Sequence, residues 1–235
     1  MDASVERGAA VRRRSLLAAS AALCLGACAS RPPASDGEWH EVRLPGKEPT
    51  VYRRARREGR DGFEAHAQRS ASMWRRKLDI APERIGMVEF SWWVPALMPA
   101  SSVADVDHED AAARVLFGFG GDRARLSQRT RMMFDLAEGL TGEAPPFATL
   151  MYVWDRVAPV GEVVINPRSD RIRKLVVDSG SQHLGQWREH RRDLAADFRR
   201  AFGEDPGPLL SMALMTDADN TRSTARAWYG PIRLL

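Results

Sequence analysis

The chain has 235 residues, a formal net charge of +4 and only two cysteines. This length leaves about 200 residues after an N-terminal export segment, enough for one domain with a core of its own. Acidic and basic residues alternate without a long block of one sign, which argues against a nucleic-acid-binding surface, so no nucleic-acid partner is predicted.

The N-terminus has the order of a secretory signal. Three arginines at residues 12–14 precede an uncharged run over residues 16–27 that ends in small residues. The run is too short to span a bilayer. We therefore predict a signal peptide over residues 1–27, with the general and twin-arginine export routes both open because Arg13 and Arg14 precede Ser15.

The end of that run, Leu25-Gly26-Ala27-Cys28, resembles a bacterial lipobox. The resemblance implies cleavage before Cys28 and a lipid on its sulfur, so the membrane is a predicted partner through Cys28. It also implies an exported protein that is anchored in the envelope and faces the periplasm, and Ala29 favours the outer membrane. An ordinary signal peptide with an incidental cysteine is the alternative.

Cys24 and Cys28 both lie in this segment. The mature chain therefore has no intramolecular disulfide, thiol catalysis or cysteine metal site. Residues 28–40 contain two adjacent prolines and small polar residues, which predicts a flexible tether. A single domain is predicted over residues 41–235.

Short extended runs follow one another through this domain. Several alternate between apolar and polar residues, such as residues 87–94, whereas residues 209–215 are apolar on both parities and predict a strand buried on both faces. The other predicted strands lie at residues 41–44, 50–54, 63–67, 71–80, 113–120, 149–154, 162–165, 171–177 and 225–229.

Two helices are predicted between the strands. Ser127 is a suitable N-cap for a helix that ends near Gly142, and residues 186–202 carry one apolar stripe. Many strands, two helices and no repeating βαβ order predict a mainly β fold, an antiparallel β-sandwich with two flanking α-helices. Long connections between successive strands favour a jelly-roll topology.

The best candidate for a site is the polar cluster between the last two long strands. Asp217, Asp219 and Asn220 offer three oxygen-bearing side chains within four residues, which suit sugar hydroxyls or a metal ion, with calcium as the predicted metal and no other cofactor. The EF-hand template fails because Arg222 stands at its glycine position. An Asx-rich loop that satisfies its own backbone is the alternative.

A second acidic loop lies at residues 105–110, with Asp105, Asp107, Glu109 and Asp110. A solvated loop explains it. If the two loops share one edge of the sandwich, however, paired carboxylates would suit metal binding or general acid–base work on a glycosidic bond.

Tryptophan is frequent, with seven residues. An exposed indole beside a polar loop suits stacking on a sugar ring. The predicted ligand site therefore comprises Asp217, Asp219, Asn220 and Arg222 with Trp228, and also Trp154 and Asp155. Core or sheet-edge packing is the alternative for Trp93, Trp154 and Trp228.

Three segments carry a family resemblance: residues 143–155 (EAPPFATLMYVWD), residues 166–174 (NPRSDRIRK), and residues 215–221 (MTDADNT) followed by Ala-Trp-Tyr-Gly at 227–230. They resemble the bacterial family called domain of unknown function 3047, which implies no activity and assigns no catalytic residue. The closing strands are more weakly similar to galactose-binding-like jelly rolls, which implies a carbohydrate-facing role.

No nucleophile, base or cofactor motif is found, so binding is favoured over catalysis. We predict a lipid-anchored envelope protein that binds a glycan or another polar ligand without catalysis. A glycan-processing hydrolase or lyase that uses the acidic loops is one alternative, and a structural or interaction lipoprotein is another. The oligomeric state stays open.

Overall fold

The computed structural model describes residues 37–235. The predicted signal peptide over residues 1–27, the lipidation at Cys28 and most of the predicted tether lie outside the described residues. The first strand begins at Trp39, two residues inside the range predicted as tether, because Trp39 and His40 pair with Arg76 and Arg75.

Within residues 37–235, thirteen strands form two sheets. In chain order they are β1 (Trp39–Arg43), β2 (Val51–Arg57), β3 (Arg60–Gln68), β4 (Ala71–Ile80), β5 (Met87–Trp93), β6 (Arg114–Phe119), β7 (Ala148–Asp155), β8 (Val163–Ile165), β9 (Ile172–Ser179), β10 (Trp187–Asp193), β11 (Leu209–Asp217), β12 (Thr224–Tyr229) and β13 (Arg233–Leu234). One sheet has seven strands in the order β1-β4-β11-β6-β7-β9-β8. The other has six: five in the order β10-β5-β12-β3-β2, and β13, which pairs with β5.

The prediction of a mainly β fold with two sheets and two helices is confirmed. The prediction that all strands are antiparallel is only partly correct. In the seven-stranded sheet, β7 and β9 run parallel, with Thr149 opposite Ile172. The chain reaches this arrangement because β8 lies between them in sequence but pairs at the outer side of β9. The seven-stranded sheet is therefore mixed.

Helix α1 (Gln128–Thr141) matches its prediction. The Ser127 side chain accepts a hydrogen bond from the backbone N–H of Thr130, and Gly142 ends the helix in the left-handed region, with φ 74°. The prediction of one helix over residues 186–202 is wrong in its first half. Residues Trp187–Asp193 form β10, because seven consecutive residues pair with the edge of β5, and only Leu194–Phe202 form α2.

The main core lies between the two sheets. Phe117 and Tyr152 of one sheet pack in it with Phe90, Trp92 and Tyr229 of the other. A smaller apolar cluster covers the opposite face of the seven-stranded sheet, where the loops before β6 and after β7 pack on it. The prediction that residues 209–215 are buried on both faces is confirmed, except at the half-exposed Leu210.

No helix among residues 37–235 is both long enough and apolar enough to cross a membrane.

Candidate functional site

A concave surface of about 1030 Å³ crosses the outer face of the seven-stranded sheet, and we call it the outer groove. Its floor is built from outward-facing residues of adjacent strands. Ala213 of β11 lies opposite Leu116 of β6, which in turn lies opposite Met151 of β7. Met215 lies opposite Met73 in the next row. Because the strands place these side chains side by side, the floor is a continuous apolar strip.

Two structures form the walls of the outer groove. Helix α1 contributes Met133, Ala137 and Leu140 on one side, followed by the turn at Pro145 and Pro146. The opposite side is β1 with the turn that follows it, which ends in Lys47. One end is closed by polar residues from three loops: Glu109, Asn166, Arg168, Asp217, Asp219 and Asn220.

The predicted polar loop therefore lines the outer groove, but two of its three side chains also hold local structure. Asp217 ends β11, and its carboxylate accepts from the backbone N–H of Ala111 at 2.9 Å and lies 3.1 Å from the guanidinium of Arg114. Asn220 donates its side-chain amide to the carbonyl of Val106. Asp219 is half-buried and forms an ion pair with Lys47. Asp219 is thus the member least tied to the backbone.

The two acidic loops meet. Asp110 is buried, and its carboxylate accepts from the backbone N–H groups of Asn220 and Thr221 and from the Thr221 hydroxyl. One oxygen from each of Asp110, Asp217 and Asp219 lies within 4.8 Å of the others. Unlike Asp110, Asp105 and Asp107 of the second acidic loop are exposed, as expected for a solvated loop.

Burial raises the pKa of Asp217 to about 7. The positive charge of Arg114 opposes this rise, while the carboxylates of Asp110 and Asp219 add to it. A carboxyl group with this pKa is divided between its protonated and ionised forms near neutrality. Asp217 is therefore suited to accept or release a proton in the outer groove.

Three clustered carboxylates are the ligand set that a hard divalent cation prefers. Their existing partners weaken the fit, since Arg114 and Lys47 bring two positive charges to three carboxylates. Asp110 has in addition committed both oxygens to hydrogen bonds. A cation at this position must therefore displace Lys47 from Asp219, and calcium stays a prediction.

A second polar network, which the sequence analysis missed, supports the same end of the groove. The ammonium group of the fully buried Lys174 donates to the carboxylate of Glu109 at 2.7 Å and to the carbonyl of Val103 at 2.8 Å. Arg168 also pairs with Glu109. Burial alone raises the pKa of Glu109, but the hydrogen bond from Lys174 and the nearby positive charges outweigh it, so this pKa lies below its usual value.

The sequence feature that could have indicated this network is Lys174, which directly precedes the apolar residues 175–177 of a strand. Its partner lies 65 positions away in sequence, and no local pattern identifies such a pair.

The remaining predicted site residues lie elsewhere. Trp154 is buried and donates its indole N–H to the carbonyl of Gly180, and Asp155 accepts from the backbone N–H groups of Val103, Val157 and Ala158. Arg222 is exposed outside the groove lining, with φ 51°.

Trp228 lies on the outer face of the other sheet. There it is aligned with Trp93 and Trp187 of neighbouring strands, and the guanidinium of Arg57 lies 4.2 Å from its ring centroid. The structure thus brings Asp217, Asp219 and Asn220 together and separates them from both predicted tryptophans. The outer groove has no Trp, Tyr or Phe in its described lining.

The model of a family described as "Protein of unknown function (DUF3047)" matches residues 37–233. This match confirms the resemblance predicted from the motifs at residues 143–155, 166–174 and 215–221. No curated protein matches the chain.

Some solved structures are similar in outline. One is the family 11 carbohydrate-binding module of the cellulosomal cellulase Lic26A-Cel5E of Clostridium thermocellum, at 12% identity and a TM-score of 0.41, over 84% of this chain and 86% of that one. Another is the xyloglucanase domain of NopAA from Sinorhizobium fredii in complex with cellobiose, at 8% identity and a TM-score of 0.42, over 86% and 95%. At these identities and scores the likeness carries no argument about what this chain binds.

Proposed function

This chain belongs to the DUF3047 family, and we propose that its domain binds a glycan or a related polyhydroxylated ligand in the outer groove, without catalysis. The observation that carries the proposal is the groove itself, a concave surface of about 1030 Å³ with an apolar floor and a polar end. Ligand sites combine these properties, since apolar contact supplies affinity and a few polar groups fix orientation.

The charges on the rim favour a neutral ligand. They already occur as pairs: Lys47 with Asp219, Arg168 with Glu109, Arg114 with Asp217, and Arg75 with Glu143. A charged ligand would have to break one of these pairs. Hydroxyl groups can instead accept from a guanidinium or ammonium and donate to a carboxylate while the pairs persist. A polyhydroxylated molecule therefore matches the rim better than an ion does.

The floor is suited to the apolar face of a sugar ring. Leu116, Met151, Ala213 and Met215 form a strip about three strands wide, and strands in a sheet lie roughly 4.8 Å apart. Methionine side chains adapt to irregular shapes. Because aromatic stacking is absent from the described lining, we expect weak binding, with a Kd of about 0.1–1 mM, that depends on several ring contacts.

The test is isothermal titration of the purified full chain with a panel of soluble oligosaccharides. The double variant Asp219→Ala/Asn220→Ala should lower affinity for a bound oligosaccharide about tenfold, because it removes the polar contacts at the closed end. Asp79→Ala is the matched control, since Asp79 is exposed on β4 outside the groove. Its affinity should equal that of the wild type.

A second variant tests the location without touching the polar end. Ala137→Trp adds a bulky side chain to the α1 wall, where Ala137 is only half-buried, so the fold should tolerate it while the groove is obstructed. Loss of binding is expected. If Ala137→Trp binds with wild-type affinity, the ligand site does not lie in the outer groove. If no oligosaccharide of the panel binds to the wild type, the remaining hypothesis is a structural or interaction lipoprotein.

A glycan-processing hydrolase is the second candidate, favoured by the contact between the two acidic loops. Asp217, with a pKa of about 7, would act as the acid and Asp219 would supply the second carboxylate, since one oxygen of each lies within 4.8 Å of the other. Release of reducing ends from the panel oligosaccharides, abolished by Asp217→Asn with binding retained, is the expected signature. Intact oligosaccharides after prolonged incubation contradict it.

Calcium is a separate proposal at the same cluster. Because a cation must displace Lys47, Lys47→Ala should increase both the calcium affinity and the calcium-dependent rise in Tm. If millimolar calcium changes the Tm of neither the wild type nor Lys47→Ala, the calcium proposal is rejected.

We also propose that the domain is carried on a lipid at Cys28 in the periplasm-facing envelope, as the N-terminal sequence implies. Mass spectrometry of the membrane fraction should detect a diacylated Cys28 peptide, and Cys28→Ser should release the protein from that fraction. A Cys28→Ser protein that stays in the membrane fraction contradicts the anchor.

A further inference from the structure

A second cavity, of about 660 Å³, opens between the two sheets at one end of the sandwich, and we call it the edge cavity. It lies on the other side of the seven-stranded sheet from the outer groove, because it contacts Met212 and Leu214, whose neighbours Ala213 and Met215 face the groove. Its apolar lining comes from both sheets and from the segment after β12: Trp39, Phe63, Met212, Leu214, Pro231 and Ile232.

Of the three arginines that line the edge cavity, Arg54 and Arg76 reach it from opposite sheets. Arg76 belongs to β4 and lies in one row between Trp39 and Met212 of the adjacent strands. Arg54 belongs to β2, and its guanidinium carbon lies 5.5 Å from the ring centroid of Phe63. The two positive charges thus stand at a cavity whose other walls are largely apolar except for Arg56 and Asp61, which lie 3.8 Å apart.

Neither arginine forms an ion pair within residues 37–235. The cavity's aspartate, Asp61, lies 3.8 Å from Arg56 instead. The Nε of Arg76 is buried and has no hydrogen-bond partner in the described part of the chain. A buried donor without an acceptor is costly and therefore requires an explanation.

Protection of sheet edges does not provide that explanation. Inward-pointing charges on edge strands prevent unwanted strand pairing, and this reason suffices for Arg54 and Arg56 on β2. Strand β4, however, lies between β1 and β11, so Arg76 has no free edge to protect. An apolar residue at its inner position would pack with Trp39 and Met212 at no electrostatic cost.

We propose that the edge cavity binds an anionic amphiphile, a molecule with an oxyanion head and an apolar body. Guanidinium groups bind carboxylate and phosphate oxygens in bidentate geometry, and a concave, weakly polar wall strengthens their field. Arg54 and Arg76 hold the head, and the body lies against Phe63, Leu214 and Ile232. This site is independent of the proposed glycan function and does not rest on it.

The test uses four probes on the purified full chain: dodecanoate, dodecyl phosphate, dodecanol and inorganic phosphate, all below micelle-forming concentrations. Dodecanoate and dodecyl phosphate should bind, dodecanol should bind about tenfold more weakly, and inorganic phosphate alone should not bind. A preference for one of the two anionic amphiphiles identifies its head group. Equal binding of dodecanol and dodecanoate overturns the proposal, and this comparison needs no variant.

Variants then locate the site. Arg76→Met and Arg54→Met should each weaken dodecanoate binding about tenfold or more, while dodecanol binding stays the same. Arg53→Gln is the matched control, because Arg53 is next to Arg54 on β2 but pairs with Glu64. Unchanged dodecanoate affinity in both methionine variants overturns the assignment, and oligosaccharide binding in the outer groove should be unaffected by either.

Discussion

The two faces of the seven-stranded sheet are built from the same strands but differ in composition. Neighbouring residues of β7 illustrate this: Leu150 faces the other sheet and is fully buried, whereas Met151 faces the outer groove. The inner face carries aromatic rings in contact, such as Tyr152 stacked on Phe90 with centroids 5.3 Å apart. The outer face carries methionine, alanine and leucine under a partial cover of loops.

One buried carboxylate from each face, Asp178 and Asp217, shows a further difference. Asp178 meets the inner core, where it accepts from the Trp92 indole at 2.7 Å, from Arg188 at 2.9 Å and lies 2.9 Å from the His190 ring. Burial alone raises its pKa, but these partners outweigh burial and hold the pKa below its usual value. Asp217 faces the groove beside two other carboxylates, and its pKa rises to about 7.

The difference separates polar groups that serve the fold from those that are available to a ligand. On the inner face, Asp178 has enough partners to stay ionised. On the outer face the charges are paired but border a cavity, so their partners can be exchanged for a ligand group.

The largest expected effect is that of truncating the inner face. Leu150→Ala should lower the free energy of unfolding by about 3–5 kcal/mol, because it leaves an enclosed cavity. Met151→Ala should cost about 1–2 kcal/mol, because its neighbours border open space. Urea unfolding of both variants measures the contrast. Equal losses would mean that the outer groove is as tightly packed as the core.

Removing the inner carboxylate should be the next largest effect. Asp178→Asn should cost about 2–3 kcal/mol at pH 7, since Arg188 and His190 lose their charged partner. Because the folded pKa of Asp178 is lowered, its stabilisation is present above the unfolded value of about 3.9 and is lost as the pH falls through the folded value. A variant as stable as the wild type at pH 7 would contradict this role.

Asp217 should show the opposite dependence on pH. Its folded pKa of about 7 exceeds the unfolded value of about 3.9, so the protonated form is favoured in the folded state and its stabilisation is lost as the pH rises from about 4 through 7. The stability of Asp217→Asn relative to wild type should therefore increase as the pH rises over that range. Chemical unfolding at pH 4.5 and pH 8 tests the sign, and a difference that is constant with pH refutes it.

The smallest effect is expected at the rim of the groove. Lys47→Ala breaks an ion pair whose lysine is exposed, so the free energy of unfolding should change by less than about 0.5 kcal/mol. The same variant should alter oligosaccharide affinity, because Asp219 is freed to contact the ligand. A large loss of stability would show that the Lys47–Asp219 ion pair stabilises the fold and is not available to a ligand.

Much of this molecule was predictable from local sequence. Helix α1 followed from Ser127 and Gly142, and the double-sided burial of residues 209–215 followed from their unbroken apolar run. Residues 186–202 were misassigned because Trp187, Leu194 and Phe198 fit helical spacing, while the register with β5 that makes residues 187–193 a strand is not a local property. Lys174 and Glu109 were missed as a pair for the same reason.

The family, the mainly β class with two helices, and the position of the polar loop at residues 217–220 follow from the amino-acid sequence, because they depend on composition, caps and spacing within short segments. Four features depend on the folded domain: Asp110 joins Asp217 and Asp219, Trp228 lies on the opposite sheet, β7 and β9 run parallel, and Arg54 and Arg76 face one cavity. Each of these results from the pairing of strands far apart in the chain, and such pairing depends on the packing of the whole domain.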